Sequence, residues 1–175
     1  MIPDRLLKGR KHFSQSVMVL VAVSKLGKTA PFFVIPKAKV NSVYYCDEVL
    51  AKGLLPDIPR LSVGDDYVFQ QDGAPAHRSC HTVAYLNVNM PEFIEPENWP
   101  PTSPDLNPVD YSIWGCLQQM VYREPIRDID HLKQVIIHSW AEISQTFVNL
   151  AIDPWSRRVN AVIRAHGGHI EYLFD

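Results

Sequence analysis

Two aspartates are placed where a sequence can do chemistry. Asp72 follows Tyr67-Val68-Phe69-Gln70-Gln71, a run of strand character, and precedes Gly73-Ala74-Pro75. Open α/β sheets meet their ligands at the carboxyl ends of strands, and small residues there let a backbone or a phosphate approach closely. A carboxylate in that position is a good ligand for a hard divalent cation. As local structure alone, Asp72-Gly73 reads more readily as a plain turn. Asp110 follows with 37 residues between them, in Asn107-Pro108-Val109-Asp110. Asn107 is an N-cap there, Pro108 the first helical residue and Asp110 the third, so helix capping accounts for the acid. The same position keeps the carboxylate ionised, as a metal ligand must be. Asp105 competes nearby, but its Pro-rich surroundings make it a turn or cap residue.

Other chemistry is weaker. His77, Cys80 and His81 form the main cluster of soft ligands, and two histidines four apart on a helix could hold zinc. No Glu lies between them, and no third and fourth ligand stand at a convincing spacing. There is no Gly-rich phosphate loop and no Gly-x-Ser-x-Gly elbow. Pro101-Thr102-Ser103-Pro104 fits a Pro-x-x-Pro ligand, a pattern too common to decide anything.

These residues need elements to hold them. Val17-Met18-Val19-Leu20-Val21-Ala22-Val23 is apolar at every position, as in a strand covered on both faces. Lys25-Leu26-Gly27-Lys28 is a turn and Pro31-Phe32-Phe33-Val34-Ile35 the returning strand, giving a β-hairpin. Asn41 or Ser42 caps a helix to about Leu55, with Val43, Cys46, Val49, Leu50 and Leu54 on its inner face. Asp65-Asp66 leads into the strand that ends at Asp72; a helix over about 76–87 and a short strand Phe93-Ile94-Glu95 follow. Six prolines between 91 and 108 predict a stiff, non-helical loop. Three helices close the chain, lined by Ile113, Leu117, Met120 and Val121, by Leu132, Ile136, Trp140, Ile143 and Phe147, and by Trp155, Val159 and Ile163. The order is that of an α/β layered domain with a helical C-terminal part.

Length and composition fit one globular domain of 175 residues and exclude a disordered tail, a coiled coil and a disulfide-stapled miniprotein. The three cysteines have no paired spacing and read as intracellular thiols. Basic Arg5–Lys11 before the apolar run mimics a secretory signal, but a strand explains the run as well, and it is too short to span a membrane. The net charge of −2 conceals an asymmetry: residues 1–40 carry +7 and the remainder −9. Lys25, Lys28, Lys37 and Lys39 are therefore candidate phosphate contacts, with solvated surface lysines as the plain alternative.

Two longer stretches go further. Phe69-Gln70-Gln71-Asp72-Gly73-Ala74-Pro75-Ala76-His77 and Trp99-Pro100-Pro101-Thr102-Ser103-Pro104-Asp105-Leu106-Asn107-Pro108-Val109-Asp110-Tyr111 together resemble the catalytic core of mariner-superfamily DNA transposases. Ser16-Val17-Met18-Val19 with Gly27-Lys28 is similar to the hairpin of that family, and the likeness runs from about Lys11 to the C-terminus. The resemblance implies a ribonuclease H-like mixed sheet flanked by helices: a single partial catalytic domain with hairpin 16–36, core 41–122 and C-terminal helices 129–166. It makes Asp72 the second and Asp110 the third acid of an Asp-Asp-Asp/Glu triad, with His77 beside the nucleic acid. It also implies a two-metal Mg²⁺ or Mn²⁺ site for DNA strand cleavage and transfer. DNA as partner, a nuclear location and a homodimer follow from the resemblance, and no membrane is involved.

The family's first Asp lies on a strand before the hairpin, and this sequence starts almost at the hairpin. Asp4, between Pro3 and Arg5, lacks a strand's apolar alternation and is not given that role. The expectation is thus a transposase remnant or partial chain, its first strand missing, with an unpaired sheet edge and a weakened metal site, inactive alone. The alternatives are a non-catalytic nucleic-acid-binding domain derived from a transposase, and a protein-interaction module using the Pro-rich loop.

Overall fold

The computed structural model describes residues 16–61 and 67–174. Arg5, Lys8, Arg10, Lys11, Asp4 and the Asp65-Asp66 lead-in lie outside them. The apolar run pairs with its return as an antiparallel hairpin in two pieces. β1 (Val19–Leu20) pairs with β4 (Phe32–Phe33), and β2 (Val23–Ser24) with β3 (Gly27–Lys28). Between the pieces the outgoing strand has two residues and the returning strand three, so the register shifts by one. That is a β-bulge at Thr29-Ala30-Pro31. Thr29 fills the gap in the ladder: its N–H donates to the Ala22 carbonyl (2.9 Å) and its Oγ1 accepts from the Ala22 N–H (2.9 Å).

Alternate residues of the hairpin enter two different cores, as period-2 side-chain geometry requires. Leu20, Ala22 and Phe32 pack with buried Tyr45, Cys46, Val49, Leu50, Phe69 and Leu86. Val19, Val21, Val23 and Phe33 pack on the opposite face, with Ile113, Leu117, Trp140, Ile143 and Val148. The first face is covered by α1, which begins at Ser42–Tyr44 and continues as Tyr45–Leu54, and by α3 (Cys80–Asn89); a short α2 (Ile58–Leu61) follows α1. The second is covered by α4 (Val109–Ile113 continuing as Trp114–Val121), α5 (Ile129–Glu142) and α6 (Gln145–Ile152), and α7 (Trp155–Arg164) follows. Apart from the hairpin, the described residues hold one isolated parallel bridge, Phe69 with Phe93, where the sequence predicted two strands. Phe69 donates to the Glu92 carbonyl (2.8 Å) and accepts from the Ile94 N–H (3.0 Å).

Several expectations are corrected. The predicted face of α1 included Val43, which is exposed, and omitted Tyr45, which is buried. The body of α1 is wound with i→i−5 bonds (Leu55 N–H to Leu50 carbonyl, 2.9 Å), so the 3.6-residue period does not apply. Gly53 on this helix lies against Phe32, where a Cβ would approach the ring to 2.7 Å. The helix predicted over 76–87 starts only at Cys80, because Ser79 caps it by accepting from the Thr82 N–H (3.2 Å). The Pro-rich loop is not wholly non-helical: Pro96–Asn98 and Pro104–Leu106 are 3₁₀ turns, each with proline where no N–H is needed. Four C-terminal helices replace three, since Ser144 caps α6 and separates it from α5. On α7 the buried residues are Arg158 and Val162, whereas Ile163 is exposed.

Among the described residues no strand lies between the hairpin and segment 67–72. A cavity of about 770 Å³ opens there, lined by the hairpin and by segment 67–72 and reaching Asp72, Asp110 and His77.

Candidate metal and nucleic-acid site

Asp72 ends segment 67–72, and its carboxylate is tied locally. Oδ1 accepts from the Ala74 N–H (3.0 Å) and lies 2.6 Å from His77 Nδ1, which must donate to an ionised carboxylate. His77 is fixed in turn. Its ring packs on Tyr45 with centroids 4.1 Å apart, and its carbonyl accepts from Gln71 Nε2 (3.2 Å). Gln71 Oε1 accepts from the Tyr45 hydroxyl (2.9 Å). The His77 hydrogen bond, helped by the Ala74 N–H and opposed by burial, holds the Asp72 carboxyl below the usual carboxylate range.

Asp110 stands in the first turn of α4. Asn107 Oδ1 accepts from the Val109 N–H (3.1 Å), and the Asn107 carbonyl accepts from the Asp110 N–H (2.9 Å). The cap read from the sequence is therefore present. Desolvation, followed by the charge of Asp72, raises the Asp110 pKa, with Asn107 opposing. Two acids far apart in sequence thus share one electrostatic environment. Both line a cleft of about 300 Å³ with Gly73, Ala74, Trp99, Thr102, Ser103 and Pro104. A Cβ on Gly73 would meet Arg78 and Trp99 only at ordinary contact distances, so packing within the chain does not require glycine there.

The donor set fits a hard divalent cation: two carboxylates line one cleft, and burial first, then the Asp72 charge, disfavours the ionised form of Asp110, a cost that a cation would relieve. Among the described residues no group of three His, Cys, Asp or Glu could hold a metal, and Cys80 and His81 do not join His77 in one.

The candidate lysines divide. Lys28 turns inward, donating to the Trp140 and Ile143 carbonyls at the end of α5, with Nζ 5.1 Å from the Trp140 ring centroid. Carbonyls left over at a helix C-terminus attract a cation, so the Lys28 ammonium is engaged within the fold. Lys25 pairs with Asp153 at 2.6 Å on the surface. Lys37 and Lys39 are exposed on the segment between β4 and α1. Sequence reasoning missed Trp99 as a wall of the cleft, though it begins the second motif, and it missed Arg158 altogether.

Fold and site define a ribonuclease H-like α/β domain with an acidic centre between a strand end and a helix start. No protein-family profile matches the chain. It is 31% identical over 166 residues to the Tc3 transposase of Caenorhabditis elegans, covering 93% of this chain and 48% of that protein. The Tcb2 transposase of Caenorhabditis briggsae is 26% identical over 97% of the chain, which covers 59% of it. The chain spans about half the length of these relatives. Among solved structures, the catalytic domain of Mos1 mariner transposase superposes with a TM-score of 0.70 at 18% identity, over 88% of this chain and 76% of that domain. A Mos1 mariner paired-end complex with Mn gives 0.77 at 18% identity, over 97% of this chain and 49% of that one. The protein is homologous to the Tc1/mariner transposases and has the ribonuclease H-like fold of a mariner catalytic domain.

Proposed function

We propose that this chain is catalytic-domain material of a DNA transposase, in which Asp72 and Asp110 hold divalent cations against a DNA phosphate. The carrying observation is that both line one cleft, with the Asp110 pKa raised by burial and, second, by the Asp72 charge. Mos1 catalytic-domain structures with Mn and with Mg, and Mos1 complexes with a transposon end, support the reading of metal and of DNA.

In such a reaction a water or 3′-hydroxyl oxygen bonds to phosphorus as the bond to the leaving oxygen breaks, and the attacking proton passes to solvent. A bound Mg²⁺ or Mn²⁺ supplies Lewis acidity and charge neutralisation. The chain's own part is placement. His77 and the Ala74 amide fix Asp72 through Oδ1, and Asn107 fixes the turn that carries Asp110. Trp99, Thr102 and Ser103 wall the space a phosphate would enter. By the same reading its partner is DNA, its location the nucleus and its assembly a homodimer.

Mn²⁺ titration followed by electron paramagnetic resonance tests the site. Wild-type chain should bind Mn²⁺, and Asp72→Asn and Asp110→Asn should each weaken binding about tenfold or more. Equal affinity in all three would overturn the assignment. With two carboxylates rather than three among the described residues, the chain alone should not nick duplex DNA. Mn²⁺-dependent nicking that vanishes in Asp72→Ala would refute that expectation.

A further inference from the structure

Arg158 is the most deeply buried cation among the described residues, at 5% exposed. Its guanidinium forks onto Glu171, Nη1 to Oε2 (2.9 Å) and Nη2 to Oε1 (3.2 Å), and Nη1 also donates to the Asp105 carbonyl (3.2 Å). It lies between two rings, 3.8 Å from the Tyr111 centroid and 4.4 Å from that of Phe174. Nε is buried without a hydrogen-bond partner. A buried charge with an unsatisfied donor is a costly way to fill a core, where an apolar residue would pack without that penalty. What Arg adds is a rigid planar fork that grips several groups at once.

The groups it grips bracket Asp110. Asp105 lies upstream and Tyr111 is its immediate neighbour. Trp155, on the same helix, donates from Nε1 to the Leu106 carbonyl (2.9 Å). From the C-terminal side, the Ile170 N–H donates to Asp105 Oδ2 (3.2 Å). Tyr111 is held at its far end by the Ala151 carbonyl, and burial, with Arg158 opposing, pushes its hydroxyl up to about 12. The start of α4 is therefore clamped by α7 and by the turn Glu171–Leu173, with Arg158 the side chain that touches both sides of the clamp.

We propose that Arg158, locked by Glu171, is a positioning residue for Asp110, so that the C-terminal segment sets the geometry of the acidic centre it does not touch. The proposal rests on the metal reading of Asp72 and Asp110. Two measurements on the full chain separate them. In Mn²⁺ titrations, Arg158→Met should weaken binding about tenfold, and Glu171→Gln by a smaller factor in the same direction. Val162→Ala, in the same apolar cluster, should lower the melting temperature while leaving Mn²⁺ affinity at the wild-type value. In the metal-free protein, amide exchange at Asp110 and Tyr111 should accelerate about tenfold in Arg158→Met and Glu171→Gln, while the α3 amides keep wild-type protection.

Wild-type exchange at Asp110 and Tyr111 in both variants would overturn the latch whatever the metal result. So would a loss of Mn²⁺ affinity in Val162→Ala equal to that in Arg158→Met. Failure of the wild-type chain to bind Mn²⁺ would instead remove the metal reading, with the exchange experiment still deciding the latch. If Arg158→Met does not fold, Glu171→Gln carries both measurements.

Discussion

Asp72 and Asp110 sit close enough to feel each other, but their surroundings push them in opposite directions. Asp72 is held ionised by a histidine and a backbone amide, so its folded pKa lies below the unfolded value. Its contribution to stability is present above the unfolded pKa and is lost as pH falls through the folded one. Asp110 is the reverse: its folded pKa is raised, so the folded state binds the extra proton, and stability from this group declines as pH rises through the interval between the two values. Metal binding needs Asp110 ionised, so Mn²⁺ affinity should climb with pH until that raised pKa is passed and then level off. Asp72→Asn should move the Asp110 pKa down only part of the way, because desolvation is its larger cause. Carboxyl ¹³C NMR titration of both proteins measures this, and an unchanged Asp110 pKa in Asp72→Asn would show that the two acids are not coupled. At this scale the sequence was readable for the acids, since each stands in a motif with its own local logic. Arg158 was not readable, because an arginine on a helix reads as a solvated charge unless Glu171 and two rings are known to enclose it.

Elements were legible where a side-chain period stayed regular and a cap was local. The hairpin was such a case, as were the Asn41 cap of α1 and the Asn107-Pro108 start of α4. Legibility failed where the backbone changed its winding or a cap hid inside an apolar run. Leu132, Ile136, Trp140, Ile143 and Phe147 keep helical spacing across a real break, because α5 and α6 both turn their apolar faces to one core. The break is made by Ile143, whose backbone is extended, and by Ser144, whose hydroxyl accepts from the Phe147 N–H (3.2 Å). Gln145 then donates to the Ser24 carbonyl (2.8 Å), fixing the start of α6 to the hairpin. Ser144→Ala should therefore cost about 1 kcal/mol in urea unfolding, the usual worth of an N-cap, whereas Ser144→Gly should cost only a few tenths. A loss in Ser144→Ala no greater than that of Ser144→Gly would mean that the break is set by the core and not by the cap. The bulge at Thr29-Ala30-Pro31 was equally invisible in sequence, since only the register of both hairpin pieces reveals the extra residue.

Over the whole molecule, the charge asymmetry of the sequence resolves into cations with different tasks. The leading +7 includes Lys28, which closes the end of α5 through the Trp140 and Ile143 carbonyls, and Lys25, which meets Asp153. Burial lowers the Lys28 pKa, and its charge is used within the fold. Lys37 and Lys39 remain exposed, on the connection from the hairpin to α1, and carry the electrostatic argument for DNA among the described residues. The two roles separate in salt. Each phosphate contact contributes about 0.9 to the slope of log affinity against log salt for duplex DNA. Replacing Lys37 and Lys39 by Gln together should therefore flatten that slope by roughly 2, with little change in melting temperature. Lys28→Met should leave the slope as it is and destabilise the fold by about 2 kcal/mol, the scale of hydrogen bonds from a charged donor. Fluorescence anisotropy with a labelled duplex over a KCl series, beside thermal melts of each variant, gives both quantities. A slope that flattens in Lys28→Met but not in the double variant would reverse the assignment. The DNA-facing surface would then have to lie on the hairpin turn rather than on the connection to α1.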